Sequence, residues 1–122
     1  MSLSKREQAH LERLLGRTLT EACETAKAQL PGFQWLTHEV DYQRFPASLL
    51  VTWVFDTEAS RQAALLAGQD QRMNELTGMA LAEAGIHLEQ VERHVSCDSE
   101  QACQRSHAGD WQARLARRRG RH

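Results

Sequence analysis

The 122-residue chain has few prolines, three cysteines and no long hydrophobic run. Its longest mostly apolar stretch, Leu49 to Phe55, falls far short of the roughly 20 residues a membrane-spanning helix needs, so no membrane partner is expected. The start of the chain, Met1-Ser2-Leu3-Ser4-Lys5-Arg6-Glu7, carries no apolar region of the kind a secretion signal has, and none is expected. Cys23, Cys97 and Cys103 are too sparse, and odd in number, for a disulfide framework. Free thiols suit a reducing compartment, which points to the cytoplasm. The sequence contains no internal repeat, Gly-rich phosphate loop, nucleophile elbow or His-Glu-x-x-His motif. These absences lower the expectation of enzymatic activity, and no cofactor or metal is expected.

What is present is the composition of a globular protein: 41% hydrophobic and 25% charged residues in a length that suits one domain around one core. The net charge of −1 hides an uneven distribution. Residues 111–122 carry Arg114, Arg117, Arg118, Arg119 and Arg121 and no acid, a charge of +5 that leaves −6 on residues 1–110. The domain is therefore expected over residues 1–116, with 117–122 a basic tail that frays or is disordered.

Ser4-Lys5-Arg6-Glu7 has the form of a capping box. Leu11, Leu14, Leu15, Thr18, Leu19, Ala22, Cys23, Ala26 and Leu30 then recur at spacings of three and four, predicting one helix over about 4–30 that stops at Pro31-Gly32. Phe33 to Tyr42 is rich in aromatic and β-branched residues and reads as a strand. Pro46 marks the connection at 43–47, since it lacks the amide a central strand needs. Ser48 to Phe55 is apolar on both faces and reads as a central strand, joined to the first as an antiparallel hairpin. Asp56-Thr57 can cap a helix with an apolar stripe at Ala59, Ala63, Leu66 and Ala67. Asp70 can cap another that buries Met73, Leu76, Ala80, Leu81 and Ala84, with Gly85 as its left-handed terminator and Ile86 packing back. Gly78 inside that helix costs about 1 kcal/mol relative to alanine, which close packing against a neighbour would explain. Leu88 to Cys97 reads as a third strand, residues 98–109 as a capped short helix, and Asp110 as the cap of a last helical segment bearing Trp111 and Leu115. The expected fold is α/β (α+β): two layers, a three-stranded sheet with helices on one face, in the order α-β-β-α-α-β-α.

Candidate chemistry is thin. The arginines at 114, 117, 118, 119 and 121 can contact phosphates, and Trp111 can stack on a base. The same tail can instead aid solubility or fold back on the acidic body. Cys97, Cys103 and His107 lack the spacing and the fourth ligand of a zinc site, although Asp98 or His94 could complete one. His38 on the first strand alternates away from Glu39 and Asp41, which breaks a local acid–base pair. Trp35, Trp53 and Phe33 read as core. Tyr42, Arg44 and Phe45, at the tip of the hairpin, are residue types enriched at interfaces, and Phe45 alternatively tucks over the end of the core.

The order α-β-β-α-α-β over about residues 4–97 resembles type II KH-like domains, including ribosome-binding factor A. Where KH domains carry a GXXG loop this chain reads Gly68-Gln69-Asp70-Gln71, which lacks the second glycine and places an acid beside any phosphate. The family of ribosome-binding factor A lacks the full GXXG as well. Gly32-Phe33-Gln34-Trp35-Leu36-Thr37-His38, Arg44-Phe45-Pro46-Ala47-Ser48-Leu49, Val54-Phe55-Asp56-Thr57 and Gly109-Asp110-Trp111 resemble a group of small gammaproteobacterial proteins sometimes labelled Fis-family transcriptional regulators. Fis ends in a helix-turn-helix, and no second helix of recognition length follows here. The expectation is a non-enzymatic binding protein associated with RNA, DNA or the ribosome through its basic tail. The alternatives are a homodimeric interaction adaptor that uses the 42–46 loop or a sheet edge, and, more remotely, a small enzyme or metal protein.

Overall fold

The computed structural model describes residues 3–119, with side chains as far as Arg117. The helices are α1 (Lys5–Lys27), α2 (Glu58–Leu66), α3 (Asp70–Glu83), α4 (Glu100–His107) and α5 (Trp111–Arg119). The strands are β1 (Phe33–Glu39), β2 (Leu50–Phe55) and β3 (Val95–Ser99), and 3-10 turns occupy Tyr42–Arg44 and Val91–His94. This is the predicted two-layer α+β fold in the predicted order.

Helix α1 begins at the capping box: Glu7 N–H donates to Ser4 Oγ at 3.1 Å, and Ser4 N–H donates to Glu7 Oε1 at 2.9 Å. Its apolar stripe buries Leu15, Leu19, Ala22 and Ala26. Gly32 turns the chain into β1 at φ +81°, where a Cβ would meet Ser60 Cβ at 2.6 Å, so only glycine fits. In the sheet, β2 lies between an antiparallel β1 and a parallel β3. The first face, with Val51, Trp53 and Phe55, packs against α1 and α3 in the single large core. Trp53 is fully buried there, and its indole N–H donates to Thr77 Oγ1 at 3.0 Å, so burying the indole leaves no unmade bond.

On the second face Trp35, Val54 and Asp98 form one row, and Thr37, Thr52 and Ser96 the next. Val54 and Thr52 are fully buried. A strand that is apolar on both faces needs cover on both, and α5 lies across part of this second face. The helices on the first face are thus joined by one on the other.

Several local expectations are corrected. The third strand is Val95–Ser99 rather than 88–97, because the parallel ladder runs only where β2 supplies partners, Val51 to Phe55. Strand β1 ends at Glu39 because the Asp41 carboxylate caps the following 3-10 turn by accepting from Gln43 N–H. Asp70 is the first residue of α3 and not its cap, a place taken by Gln69 without a side-chain bond. In α2 the stripe of Ala59, Ala63, Leu66 and Ala67 faces water, with Leu66 89% exposed. Only Ala64 of that helix is buried, and Glu58 and Arg61 turn inward to pair beside β3. Helix α5 runs to Arg119, and the rest of the predicted basic tail, residues 120–122, lies outside the described residues.

Candidate functional site

Ser99 caps α4 by accepting from Ala102 N–H at 3.0 Å. Ala108 (φ +52°) and Gly109 (φ +83°) then reverse the chain, and Asp110 caps α5 by accepting from Ala113 N–H. This reversal sets Trp111 edge-on against Trp35, with centroids 4.9 Å apart at 83°. Glu100 accepts from both indole N–H groups. One turn on, Arg114 meets Asp98, Nε to Oδ2 at 2.7 Å and Nη2 to Oδ1 at 3.0 Å, and also donates to Ser106 Oγ. The bonds to Asp98 raise the Arg114 pKa above its ordinary value, against the opposing effect of burial. Of the residues proposed to touch nucleic acid, Trp111 and Arg114 are therefore engaged within the protein. Arg117 is exposed. The side chains of Arg118 and Arg119, and all of Arg121, lie outside the described residues.

The hairpin end carries the second group of candidates. Ser48 Oγ accepts from Asp41 N–H at 2.9 Å and donates to Asp41 O at 2.8 Å, which pins the two sides of the loop together. Tyr42 stacks on Phe45 with centroids 5.8 Å apart, and Phe45 packs against the core. The Tyr42 hydroxyl donates to Glu12 on α1, which also bonds His38 Nε2 at 3.1 Å. Burial, and then the Glu12 carboxylate, raise the Tyr42 pKa above the ordinary tyrosine value. Tyr42 and Phe45 are thus turned onto the protein, and Arg44 alone of the three is exposed. With Arg93 it flanks a pocket of about 360 Å³ at the end of the sheet. Arg93 follows from the second 3-10 turn, which is tied to the same strand end where His94 Nδ1 donates to Leu49 O at 2.7 Å.

Strand β1 is an outer strand, paired only with β2. Among the described residues, no backbone hydrogen bond from any element other than β2 reaches Gln34 to His38. At the opposite side of the sheet, α2 packs against β3.

The remaining candidates do not converge. Cys97 points to Met73 Sδ at 3.8 Å on the first face, while Cys103 is buried in α4, where burial raises its thiol pKa. His107 bonds its neighbour Ser106. Among the described residues no three His, Cys, Asp or Glu side chains are placed to hold a metal ion, and no helix is long and apolar enough to cross a membrane. Glu12, Arg93 and Glu100 were not legible as site residues, and Asp98 was read only as a fourth ligand for zinc. Each is an ordinary surface type in sequence, and its partner is distant along the chain. No family model, curated protein or solved structure matches the chain.

Proposed function

We propose that this chain is a non-enzymatic binding protein that acts as a homodimer, with two copies joined edge to edge along β1. The observation that carries this reading is the outer edge of β1, the side away from β2, seven residues long and, among the described residues, without a backbone partner between Gln34 and His38. Such an edge is a template for another strand, and proteins that stay monomeric usually guard it with lysine, proline or a covering element. Strand β1 contains neither residue, and its one irregularity, between Phe33 and Trp35, leaves Trp35 to Glu39 in regular extended form. An antiparallel pair of identical strands is closed by a two-fold axis, so each copy meets the same surface and assembly stops at two. Sedimentation velocity over a micromolar concentration series, together with amide hydrogen exchange at β1, tests this. A concentration-dependent dimer with slowed exchange at Leu36 to His38 is expected. A monomer throughout, with fast exchange at those amides, would end the proposal.

The second reading is association with RNA, DNA or the ribosome through the C-terminal arginines. It is favoured by the exposure of Arg117 in a run that continues with Arg118, Arg119 and Arg121, and by an element order like that of KH-like domains. Such arginines would contact phosphates without reading sequence. Fluorescence anisotropy with single- and double-stranded RNA and DNA, comparing the full chain with one ending at Ala116, isolates the tail while keeping Arg114 in place. Tail-dependent binding that survives near-physiological salt would support this reading. Binding lost as salt rises would leave only nonspecific attraction.

A further inference from the structure

We infer that the pocket at the hairpin end binds a small molecule through an oxyanion, carboxylate or phosphate, held between Arg44 and Arg93. The inference stands on a different observation from the open edge of β1. The pocket measures about 360 Å³, near the lower end of the roughly 300–1,000 Å³ usual for small-molecule sites. That size fits a metabolite rather than a polymer. Val40, Ala47, Leu49 and Leu50 give it apolar walls, and the two exposed arginines line it as well.

The two guanidiniums are unlike the other arginines that the fold uses. Arg61, Arg72 and Arg114 each pair with a carboxylate, of Glu58, Glu75 and Asp98 respectively. Neither Arg44 nor Arg93 has such a partner among the described residues, although Glu39 and Asp41 line the same pocket. The Asp41 carboxylate is turned to its own turn, where it accepts from Gln43 N–H at 3.0 Å. A guanidinium offers a planar fork of donors that matches carboxylate and phosphate oxygens. Two of them lining one pocket offer two such forks to one ligand.

Their carriers are positioned in advance. Arg44 closes the first 3-10 turn, which Asp41 caps and Ser48 braces through two bonds. Arg93 sits in the second, whose His94 is bonded to Leu49 O. Both turns are thereby anchored to the start of β2, so the ordering cost on binding falls mainly on the two side chains. The carboxylate oxygens of Glu39 are buried at this end of the sheet.

The test is NMR titration of the full-length protein with inorganic phosphate and, separately, with sodium acetate, following the arginine Nε–H signals and the amides from Val40 to Leu50. Saturable shifts concentrated at Arg44, Arg93 and the loop are expected. A response to phosphate alone or to acetate alone would identify which oxyanion the site takes. Arg44→Gln and Arg93→Gln should each weaken binding by about tenfold, the loss of one charge-assisted contact. Because both side chains are exposed and make no bond among the described residues, the melting temperature should not change. Shifts that fail to saturate, or that are as large on exposed arginines such as Arg13 and Arg105, would reduce the effect to ionic screening and overturn the inference.

Discussion

Arg114 on α5 holds Asp98 on β3 through two bonds, at 2.7 and 3.0 Å, and Asp98 is only 5% exposed. The first arginine of the basic tail is therefore part of the folded domain. A buried carboxylate deprived of its partner costs far more than the pair contributes when intact. Arg114→Ala should destabilise the protein by about 3 kcal/mol, and Asp98→Ala by a similar amount. The double variant should lose clearly less than the sum, as a double-mutant cycle of urea unfolding would show. Additive losses would mean that the pair is not coupled.

Trp111 is half-buried against Trp35 and shares Glu100 with it. Trp111→Ala should cost about 2 kcal/mol, less than the 3–5 kcal/mol typical of a fully buried aromatic. The near-ultraviolet circular dichroism of Trp35 should change with it. An unchanged unfolding midpoint would show that α5 contributes nothing to the fold.

Two glycines should respond to alanine in opposite directions. At Gly32 the backbone is left-handed and the added Cβ meets Ser60 at 2.6 Å, so Gly32→Ala should destabilise by about 2 kcal/mol or more. At Gly78, inside α3, the nearest atom to an added Cβ is Val91 Cγ2 at 3.7 Å, an ordinary contact. Gly78→Ala should therefore raise stability by up to about 1 kcal/mol through helix propensity. The close packing anticipated at Gly78 is absent, and thermal unfolding of the two variants would check both signs.

Glu58 governs part of the acid response. Its bond from Arg61, and then that from Ser99, hold its pKa below the ordinary glutamate value, against partial burial. With the folded-state pKa depressed, the stabilisation is complete above the unfolded value and is lost as pH falls through the folded one. Glu58→Gln should cost about 1 kcal/mol at neutral pH, in the range of a partly exposed pair, and should flatten the fall in stability below about pH 4.5. An unaltered acid limb in pH-dependent urea unfolding would refute the role of this residue.

Legibility followed the range of the interaction. The capping box at Ser4 and Glu7, the Gly85 terminator with φ +81°, and the α3 core of Met73, Leu76, Ala80, Leu81 and Ala84 were all readable, because each depends on neighbours within a few residues. The central place of β2 was readable from its two apolar faces. The inward face of α2 was misread because a short, alanine-rich helix offers more than one apolar stripe. The contact that chose between them, Glu58 and Arg61 beside Ser99, joins segments about 40 residues apart.

The sequence by itself determined the class of fold, the long first helix, the hairpin and the central strand, since periodicity and turn chemistry are local properties of the chain. Only the tertiary structure decided that Tyr42 bonds Glu12, that Arg114 is consumed by Asp98, that Arg44 and Arg93 share one pocket and that β1 keeps an unpaired edge. Those outcomes depend on which surfaces meet when separate elements dock. A charged side chain looks the same in sequence whether it meets water, a distant carboxylate or a pocket.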